Sequence, residues 1–301
     1  MFIYAYPSNE TFADQLAAAL TADRGRCDWH SFPDGETLVR IDTPPAGGDA
    51  CIVCTLADPD SKVMPLVFAA TTLRELGAKR VGLVAPYLAY MRQDTRFHTG
   101  EALSSRHFAG LLSRYFDWLV TVDPHLHRHH SLDEIFTLSS QVVHASPLLA
   151  EWIAAHVERP LLVGPDAESA QWVADVAACI GSPWIALQKE RLGDREVQVT
   201  SPDVKAWLDR TPVLVDDILS TGHTVMAAAT RLMQAGMSDP LCVAVHGLFQ
   251  DEARGQLLAA GIARVVTTNT IPSPEAAIDV VAAVADGVRV VLKAGPREPA
   301  A

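Results

Sequence analysis

The sequence has little positive charge for its length. Its 301 residues include 24 lysines and arginines against 36 aspartates and glutamates, which gives a formal net charge of −12 at pH 7. Proteins that bind nucleic acids usually present a basic surface to the phosphates. The charge therefore argues against a nucleic-acid partner, although a local basic pocket for a small polyanion remains compatible with it.

Cysteine is also scarce. The five cysteines are odd in number and scattered, which does not fit a disulfide framework. Cys51 and Cys54 have the CxxC spacing, but they stand in an apolar run, CIVCTLA. No second pair of cysteines or histidines follows at the spacing of a zinc site. We therefore predict a buried strand here rather than a redox or zinc pair.

Long apolar runs are missing as well. A membrane span needs about 18 or more apolar residues in succession, and no stretch approaches this. The first residues, MFIYAYPSNE, lack the basic region that opens a signal peptide. We expect a soluble, cytoplasmic protein with no membrane partner.

A unit of helix, glycine and strand is repeated along the chain. Each copy has leucines at helical spacing, a glycine and an apolar strand, and Gly77, Gly236 and Gly261 fit the left-handed position that ends a helix. Such repetition predicts parallel α/β layers. The copies lie at 71–86, 230–245 and 255–269.

The length favours two domains of roughly 150 residues each. Apolar residues make up 49% of the chain, enough for two cores. A new helix, VHASPLLAEWIAAHVERP, begins at residue 143 after a polar segment. We therefore place an N-terminal domain at residues 1–142 and a C-terminal domain at residues 143–301.

Polar motifs follow four of the predicted strands. VGLVAP leads into YLAYMRQDTRF, WLVTV into DPHLHRHH, LLVG into PDAES, and VLV into DDILSTGHT. In open α/β sheets the ligand binds beyond the carboxyl ends of the strands. These four segments are therefore the predicted functional regions.

The last of these segments combines two carboxylates with a turn that leads into a helix. N–H and O–H groups at the start of a helix form a phosphate cradle. Asp216 and Asp217 suit the hydroxyls of a sugar attached to that phosphate, or a magnesium ion. Alternatively, Asp217 caps the helix and Asp216 is a solvated loop residue. The turn consists of Ser220, Thr221, Gly222, His223 and Thr224.

The segment VLVDDILSTGHT resembles the phosphoribosyl-pyrophosphate (PRPP) binding signature of type I phosphoribosyltransferases and ribose-phosphate diphosphokinases, the PRPP synthetases. An ordinary phosphoribosyltransferase has no counterpart to the N-terminal half, so it ranks third among the possible functions. The motifs that resemble the PRPP synthetases, in that family's order, are SFPDGETLVRI, PYLAYMRQDTRF, VDPHLHR, GPDAES, QKER, AVHGLF and TTNTIP.

This resemblance implies two type I phosphoribosyltransferase-like α/β domains, each a mainly parallel sheet flanked by helices. The active site is expected between them and completed by a neighbouring subunit of a homo-oligomer, dimer-based and up to a hexamer. The implied reaction transfers the diphosphoryl group of Mg-ATP to O1 of ribose 5-phosphate, giving PRPP and AMP. ATP and ribose 5-phosphate are then the partners, and Mg²⁺ is the cofactor.

The resemblance also assigns roles to residues. Lys189 and Arg191 match a catalytic basic pair on a mobile loop, and His125 and Asp166 match a magnesium site. Asp216, Asp217 and Ser220 to Thr224 match the ribose 5-phosphate site. ATP would be bound by Phe32, Asp34, Glu36, Arg92, Gln93 and Asp94.

Plainer interpretations exist for most of these segments. FPDGE alone is simply a turn, QKER fits a solvated hairpin, and Arg92 fits a structural salt bridge. The histidine-rich run at 125–130 suggests a transition metal, but its other histidines are expected on an exposed turn with no partner carboxylate.

The chain also departs from the family at His223, where a second glycine is usual, and at Glu168 and Ser169, where two glycines are common. These changes leave two further alternatives open. One is a diphosphokinase-like enzyme acting on another sugar phosphate. The other is a catalytically weak homologue that regulates a PRPP synthetase.

Overall fold

The computed structural model describes residues 1–96, 98–126, 128–187, 189–191, 197–199, 204–250 and 252–295, with the backbone alone described at 189–191 and 197–199. The chain forms two compact units. Unit 1 contains Met1–Val143 and the helix Val281–Ala294, and unit 2 contains His144–Val280.

Unit 1 alternates strands and helices along most of its length. Its elements are β1 Phe2–Ala5, α1 Glu10–Leu20, β2 Asp23–Arg24, β3 Cys27–Ser31, β4 Thr37–Ile41, β5 Ala50–Val53, α2 Asp60–Glu75, β6 Val81–Ala85, α3 Ser104–Tyr115, β7 Trp118–Val122 and β8 Ser139–Val143. The main sheet has the order β2-β1-β5-β6-β7-β8, and every pair in it is parallel. Strands β3 and β4 form a separate antiparallel hairpin.

The central strands of unit 1 are enclosed on both faces. Every residue of β5, β6 and β7 is buried, as expected of apolar strands covered by helices on both sides. Burial raises the pKa of the Cys54 thiol to about 12, and it also raises the pKa of the Cys51 thiol. A thiol that stays protonated is a poor nucleophile and a poor metal ligand. The predicted buried strand at CIVC is confirmed.

The C-terminal helix, α8 Val281–Ala294, packs on unit 1 against α1, β7 and β8. The Arg80 side chain donates a hydrogen bond of 3.3 Å to the Leu292 carbonyl. Gly287 allows close approach, since a β-carbon there would lie 2.9 Å from Val143. The sequence pattern alone places this helix in the C-terminal domain, at residues 143–301. The difference arises because its apolar face is completed by long-range packing that no local pattern encodes.

Unit 2 repeats the architecture. Its elements are α4 Ser146–His156, β9 Pro160–Gly164, α5 Ala170–Ile180, β10 Trp184–Ala186, β11 Lys189–Arg191, β12 Val197–Val199, β13 Thr211–Leu219, α6 His223–Gln234, β14 Leu241–Gly247, α7 Ala253–Ala259, β15 Arg264–Thr268 and β16 Ala276–Ile278. The main sheet has the order β10-β9-β13-β14-β15-β16, again with parallel pairs. Strands β11 and β12 form an antiparallel hairpin.

The glycines predicted to end helices have the expected backbone. Gly77, Gly236 and Gly261 have φ angles of 90°, 91° and 88°. These glycines follow α2, α6 and α7, and each helix leads into the next parallel strand. The predicted α/β class with parallel sheets flanked by helices is confirmed. Within the described part of the chain, no helix is both long enough and apolar enough to cross a membrane.

Candidate active site

The paired aspartates lie within β13, which extends beyond the apolar run VLV to Leu219. Asp216 is opposite Ala244 of the neighbouring strand β14. The Asp216 carboxylate accepts a hydrogen bond of 3.0 Å from the N–H of Asp217, and the Asp217 carboxylate accepts one of 2.7 Å from the N–H of Ile218. Asp217 is therefore not the cap of the following helix, and the interpretation as a simple helix cap is wrong.

Negative charge accumulates at this end of the sheet. Burial raises the pKa of Asp216 well above its ordinary range, and the charges of Asp217 and Asp166 add to the increase. Asp166 follows β9, which is the parallel neighbour of β13. The topology thus places carboxylates from two strand ends close enough to influence one another. Such a cluster favours a bound cation or a ligand with several hydroxyl groups.

The turn after β13 leads directly into α6, and Gly222 is the residue that makes this possible. Its φ angle is +72°, and a β-carbon there would lie 2.8 Å from Leu257 of α7. Any other residue would be strained and crowded at this position. The first N–H groups of α6 have no partner within the helix, as at every helix start, and they form an anion-binding end.

His223 is the first residue of α6, and it is exposed. Its backbone belongs to the helix start, so its N–H group is available to the turn whatever the side chain is. The position that departs from the family's glycine therefore preserves the part of the residue that a phosphate cradle uses.

The segment after β9 folds back on itself through Ser169. The Ser169 hydroxyl donates a hydrogen bond of 2.7 Å to the Asp166 carbonyl, and the Ser169 N–H donates one of 3.2 Å to the Asp166 carboxylate. Ser169 is buried, whereas Glu168 is exposed. A β-carbon at Gly164 would lie 2.5 Å from the Ser169 hydroxyl, so the serine occupies space that only glycine leaves free. Ser169 thus has a structural role.

In unit 1, polar side chains follow β6 and β7, which are parallel neighbours. Arg92 and Gln93 are exposed, and the Asp94 carboxylate accepts a hydrogen bond of 2.7 Å from Arg128. His125 is half-buried after β7. The two loops therefore meet at one edge of the sheet, as the sequence predicted.

Two residues in these loops have a left-handed backbone. Tyr90 has a φ angle of 66° and Asp123 one of 32°. The Tyr90 hydroxyl donates a hydrogen bond to Asp60 at the start of α2, which, as the largest cause, raises the pKa of Tyr90 to about 12. Non-glycine residues in this region are strained and cluster at functional sites. Each strained residue lies two positions before a predicted site residue, Arg92 or His125.

The histidine-rich run differs from expectation at His129. Its side chain is 9% exposed, and its Nδ1 atom lies 2.9 Å from the Glu134 carboxylate. The hydrogen bond from His129 lowers the pKa of Glu134, with a further contribution from the His130 N–H. The expectation of exposed histidines without a partner carboxylate was wrong for His129, because Glu134 follows five residues later on a short 3₁₀ turn.

The segment FPDGE forms the turn of the β3–β4 hairpin. The Phe32 N–H donates a hydrogen bond of 2.8 Å to the Glu36 carbonyl, and the Asp34 carboxylate accepts one of 3.1 Å from the Glu36 N–H. Phe32 remains 40% exposed. The turn thus presents an aromatic ring and two carboxylates at the surface of unit 1.

Some of the predicted site residues lie wholly or partly outside the part of the chain that the structure describes. The backbone at Lys189 and Arg191 belongs to β11, so their segment is a hairpin strand, but their side chains lie outside the described part of the structure. His127 in the histidine-rich run is not among the described residues either. Among those that are, no three histidine, cysteine, aspartate or glutamate side chains form a metal-binding group.

The sequence pattern does not predict the pairing of Arg128 or the buried polar cluster around His246. His246 is 1% exposed, and its Nδ1 atom lies 2.9 Å from the Thr270 hydroxyl. The motifs AVHGLF and TTNTIP contain these residues, but no local signal showed that they meet. Arg128 stands within a histidine-rich run, where no pattern indicates its partner. Only the fold brings it into contact with Asp94.

Two parallel α/β units with polar loops at the carboxyl ends of their strands define a protein of the open α/β class that binds its ligands at that edge of the sheet. The family profile for the N-terminal domain of ribose phosphate pyrophosphokinase matches residues 1–115, and that for the phosphoribosyl transferase domain matches residues 138–283. The ribose-phosphate pyrophosphokinase of Methanopyrus kandleri is 32% identical over 96% of this chain and 98% of its own. That of Sulfolobus acidocaldarius is 32% identical over 93% and 97%.

A solved structure shows the same relationship. The crystal structure of phosphoribosylpyrophosphate synthetase from Mycobacterium smegmatis superimposes with a TM-score of 0.85 at 27% identity, covering 98% of this chain and 99% of that one. The chain belongs to the ribose-phosphate pyrophosphokinase family, and it is an enzyme of that family. The resemblance inferred from the motifs is confirmed.

Proposed function

We propose that this enzyme transfers the diphosphoryl group of ATP to O1 of ribose 5-phosphate, giving PRPP and AMP. The observation that carries the proposal is the junction of β13 and α6, where Asp216 and Asp217 lead into the glycine turn. The carboxylates accept hydrogen bonds from the ribose hydroxyls, and the turn from Ser220 to Thr224 donates N–H and O–H groups to the 5-phosphate.

The ATP side of the reaction is assigned to unit 1. Arg92 donates a fork of N–H groups to phosphate, and Gln93 offers both a donor and an acceptor. Phe32, Asp34 and Glu36 on the exposed hairpin turn serve the adenine. In the proposed homo-oligomer this turn reaches the nucleotide of a neighbouring subunit.

Magnesium is the proposed cofactor, with His125 and Asp166 as ligands. Burial raises the pKa of Asp216, and the charges of Asp217 and Asp166 add to the increase, so a divalent cation near these carboxylates relieves an unfavourable charge. Magnesium usually takes one or two protein carboxylates together with substrate oxygens and water, so it does not require a cluster of three protein ligands. When bound, it neutralises charge on the transferred phosphates.

Lys189 and Arg191 are the proposed catalytic residues. Two cations that contact the transferred group and the departing AMP oxygen stabilise charge that grows in the transition state. The remaining proposals are that ATP and ribose 5-phosphate are the small-molecule partners, that the protein is a homo-oligomer, and that it is cytoplasmic.

One assay tests the function. Purified protein is incubated with Mg²⁺, ATP and ribose 5-phosphate, and AMP and PRPP are separated by ion-exchange chromatography. We expect equal amounts of the two products, formed only when all components are present. Release of no AMP in response to ribose 5-phosphate would contradict the proposal.

The alternative function is a diphosphokinase-like enzyme that acts on another sugar phosphate. It is favoured by His223 and Glu168, which are exposed and differ from the residues usual in the family. The same assay with a panel of pentose and hexose phosphates distinguishes the two functions. Faster AMP release with another sugar phosphate than with ribose 5-phosphate would favour the alternative.

A further inference from the structure

An ion pair joins the two polar loops of unit 1. The Nη1 atom of Arg128 donates a hydrogen bond of 2.7 Å to Oδ1 of Asp94. Asp94 is in the loop after β6 and Arg128 is in the loop after β7, and these strands are parallel neighbours. Arg128 therefore lies beside the segment that contains Arg92 and Gln93, and it is three residues from His125.

The two partners are buried to very different degrees. The side chain of Asp94 is 3% exposed, whereas that of Arg128 is 54% exposed. The Oδ2 atom of Asp94 is enclosed and has no hydrogen-bond partner among the described residues. Enclosing a carboxylate in this way costs hydration that one exposed arginine offsets poorly. The pair therefore contributes little to stability by itself, but it holds the guanidinium of Arg128 in a fixed orientation.

Most of the hydrogen-bonding capacity of Arg128 is unused. A guanidinium has five N–H donors, and in the described part of the chain only the Nη1 bond to Asp94 engages this one. The nearby Arg96 differs, since its Nε atom donates 2.7 Å to the Glu101 carbonyl within its own loop. A fixed guanidinium with free donors matches the geometry of phosphate oxygens.

We infer that Arg128 is a nucleotide-binding residue whose guanidinium contacts the phosphates of ATP, and that Asp94 is the positioning residue that orients it. The inference rests on the proposed function, because it takes the segment from Arg92 to Asp94 as the ATP site. It also changes the role of Asp94. An enclosed carboxylate does not contact the nucleotide itself, so it acts through Arg128.

A pair that only held two loops together predicts different behaviour. Removing either partner would then loosen both loops, lower the stability of unit 1, and weaken ATP binding only as far as the fold is lost. A phosphate contact predicts that ATP affinity is lost, that ribose 5-phosphate affinity is kept, and that the loss of ATP affinity remains when stability is recovered. A positioning role for Asp94 also predicts that the aspartate matters only while the arginine is present.

The test measures ATP binding by isothermal titration calorimetry in the absence of ribose 5-phosphate. The variants are Arg128→Gln, Arg128→Lys, Asp94→Asn and the double variant Arg128→Gln/Asp94→Asn. We expect Arg128→Gln to raise the Kd for ATP roughly ten- to hundredfold, as for the loss of a charged hydrogen bond. The Kd of Arg128→Lys should lie between those of Arg128→Gln and the wild type, because lysine keeps the positive charge but not the paired N–H donors of the guanidinium. Asp94→Asn should raise the Kd for ATP less than Arg128→Gln does. The double variant should have the same Kd as Arg128→Gln alone.

The matched control is Arg159→Gln. Arg159 is an arginine of unit 2 with a 62% exposed side chain that also pairs with an aspartate, Asp209. Its variant should keep the Kd within about twofold of the wild type, since exposed pairs contribute little. In the steady state, Arg128→Gln should raise KM for ATP and leave KM for ribose 5-phosphate unchanged. Its thermal midpoint should fall, because the enclosed Asp94 carboxylate loses its partner, and the double variant should recover the midpoint without recovering ATP affinity.

The outcomes separate the inference from the proposed function. An Arg128→Gln variant that binds ATP within about twofold of the wild type would overturn the inference. So would a wild type that does not bind ATP, or an affinity loss that only parallels a loss of stability. A wild type that binds ATP but forms no PRPP contradicts the proposed function alone, and the Kd comparison then still decides the inference.

Discussion

The Asp216 carboxylate accepts a hydrogen bond from the N–H of Asp217, at 3.0 Å, in a strand that is apolar from Pro212 to Val215. Asp216 and Asp217 are thus side by side within β13, close to its end at Leu219. Burial and the neighbouring charge of Asp217 raise the pKa of Asp216. Sites held in an unfavourable arrangement cost stability and are retained for function.

The first prediction concerns pH. The folded-state pKa of Asp216 lies above the unfolded value of about 3.9, so between the two the native state binds more protons than the unfolded state. The free energy of unfolding contributed by this residue therefore falls as pH rises through that window. In metal-free protein, Asp216→Asn should have a higher urea midpoint than the wild type at about pH 8, and the difference should shrink towards about pH 4.

The control for this measurement is Asp175→Asn, on the exposed side of α5. It should leave the pH dependence of the urea midpoint as in the wild type. If Asp216→Asn also left it unchanged, the raised pKa would be refuted. Asp216→Asn should also lose affinity for ribose 5-phosphate, because its amide replaces one acceptor of the sugar hydroxyls with a donor.

The second prediction concerns Gly222. Alanine at this position needs a left-handed backbone and a β-carbon 2.8 Å from Leu257. Gly222→Ala should lower the free energy of unfolding by about 1–3 kcal/mol and weaken ribose 5-phosphate binding. Chemical denaturation and calorimetry give the two values.

Gly255 provides the comparison, since it lies in α7, and a β-carbon there meets nothing within 4 Å. Gly255→Ala should stabilise the protein by about 0.5–1 kcal/mol. Equal effects of the two substitutions would show that the turn does not need glycine.

The third prediction concerns His223. Its side chain is exposed at the start of α6, and the backbone N–H is the group that the turn uses. His223→Gly and His223→Ala should therefore change the Kd for ribose 5-phosphate by less than about threefold, which is under 1 kcal/mol. A tenfold or larger gain in affinity for the glycine variant would show that the histidine obstructs the acceptor.

The fourth prediction concerns the C-terminal helix. Arg80 pairs with Asp49 at 2.6 Å and donates to the Leu292 carbonyl, so it joins α8 to the sheet of unit 1. Arg80→Met should lower the free energy of unfolding by about 2 kcal/mol, because it leaves a half-buried Asp49 without its partner. The exposed Arg289 of α8 provides the control. Arg289→Met should lower the free energy of unfolding by less than about 1 kcal/mol.

The fifth prediction concerns Lys189. Its proposed contact grows in the transition state, so Lys189→Ala should lower kcat by about a hundredfold or more with little change in KM. An unchanged kcat in steady-state assays would remove Lys189 from the catalytic residues. Lys205→Ala serves as the control, since Lys205 is an exposed residue of unit 2 and should keep the wild-type rate.

The sequence by itself determined the class of the fold and where the chemistry lies along the chain. Apolar runs such as VGLVA and WLVTV predicted buried strands, and the glycines at 77, 236 and 261 predicted helix ends. These features are local, since strand burial on both faces and left-handed helix ends follow from neighbouring residues. The motif at Asp216 to Thr224 was also complete within one segment, and it led to the family.

Only the tertiary structure decided which distant residues meet. Arg128 lies 34 residues from Asp94, and α8 returns to unit 1 from the far end of the chain. Ser169 stands where the family commonly has a glycine, yet it closes a turn on Asp166. Burial and pairing depend on packing between elements far apart in sequence, and a linear pattern of residue types does not encode those distances. The degree of burial that makes Asp94 a support for Arg128, and that raises the pKa of Asp216, exists only in the folded chain.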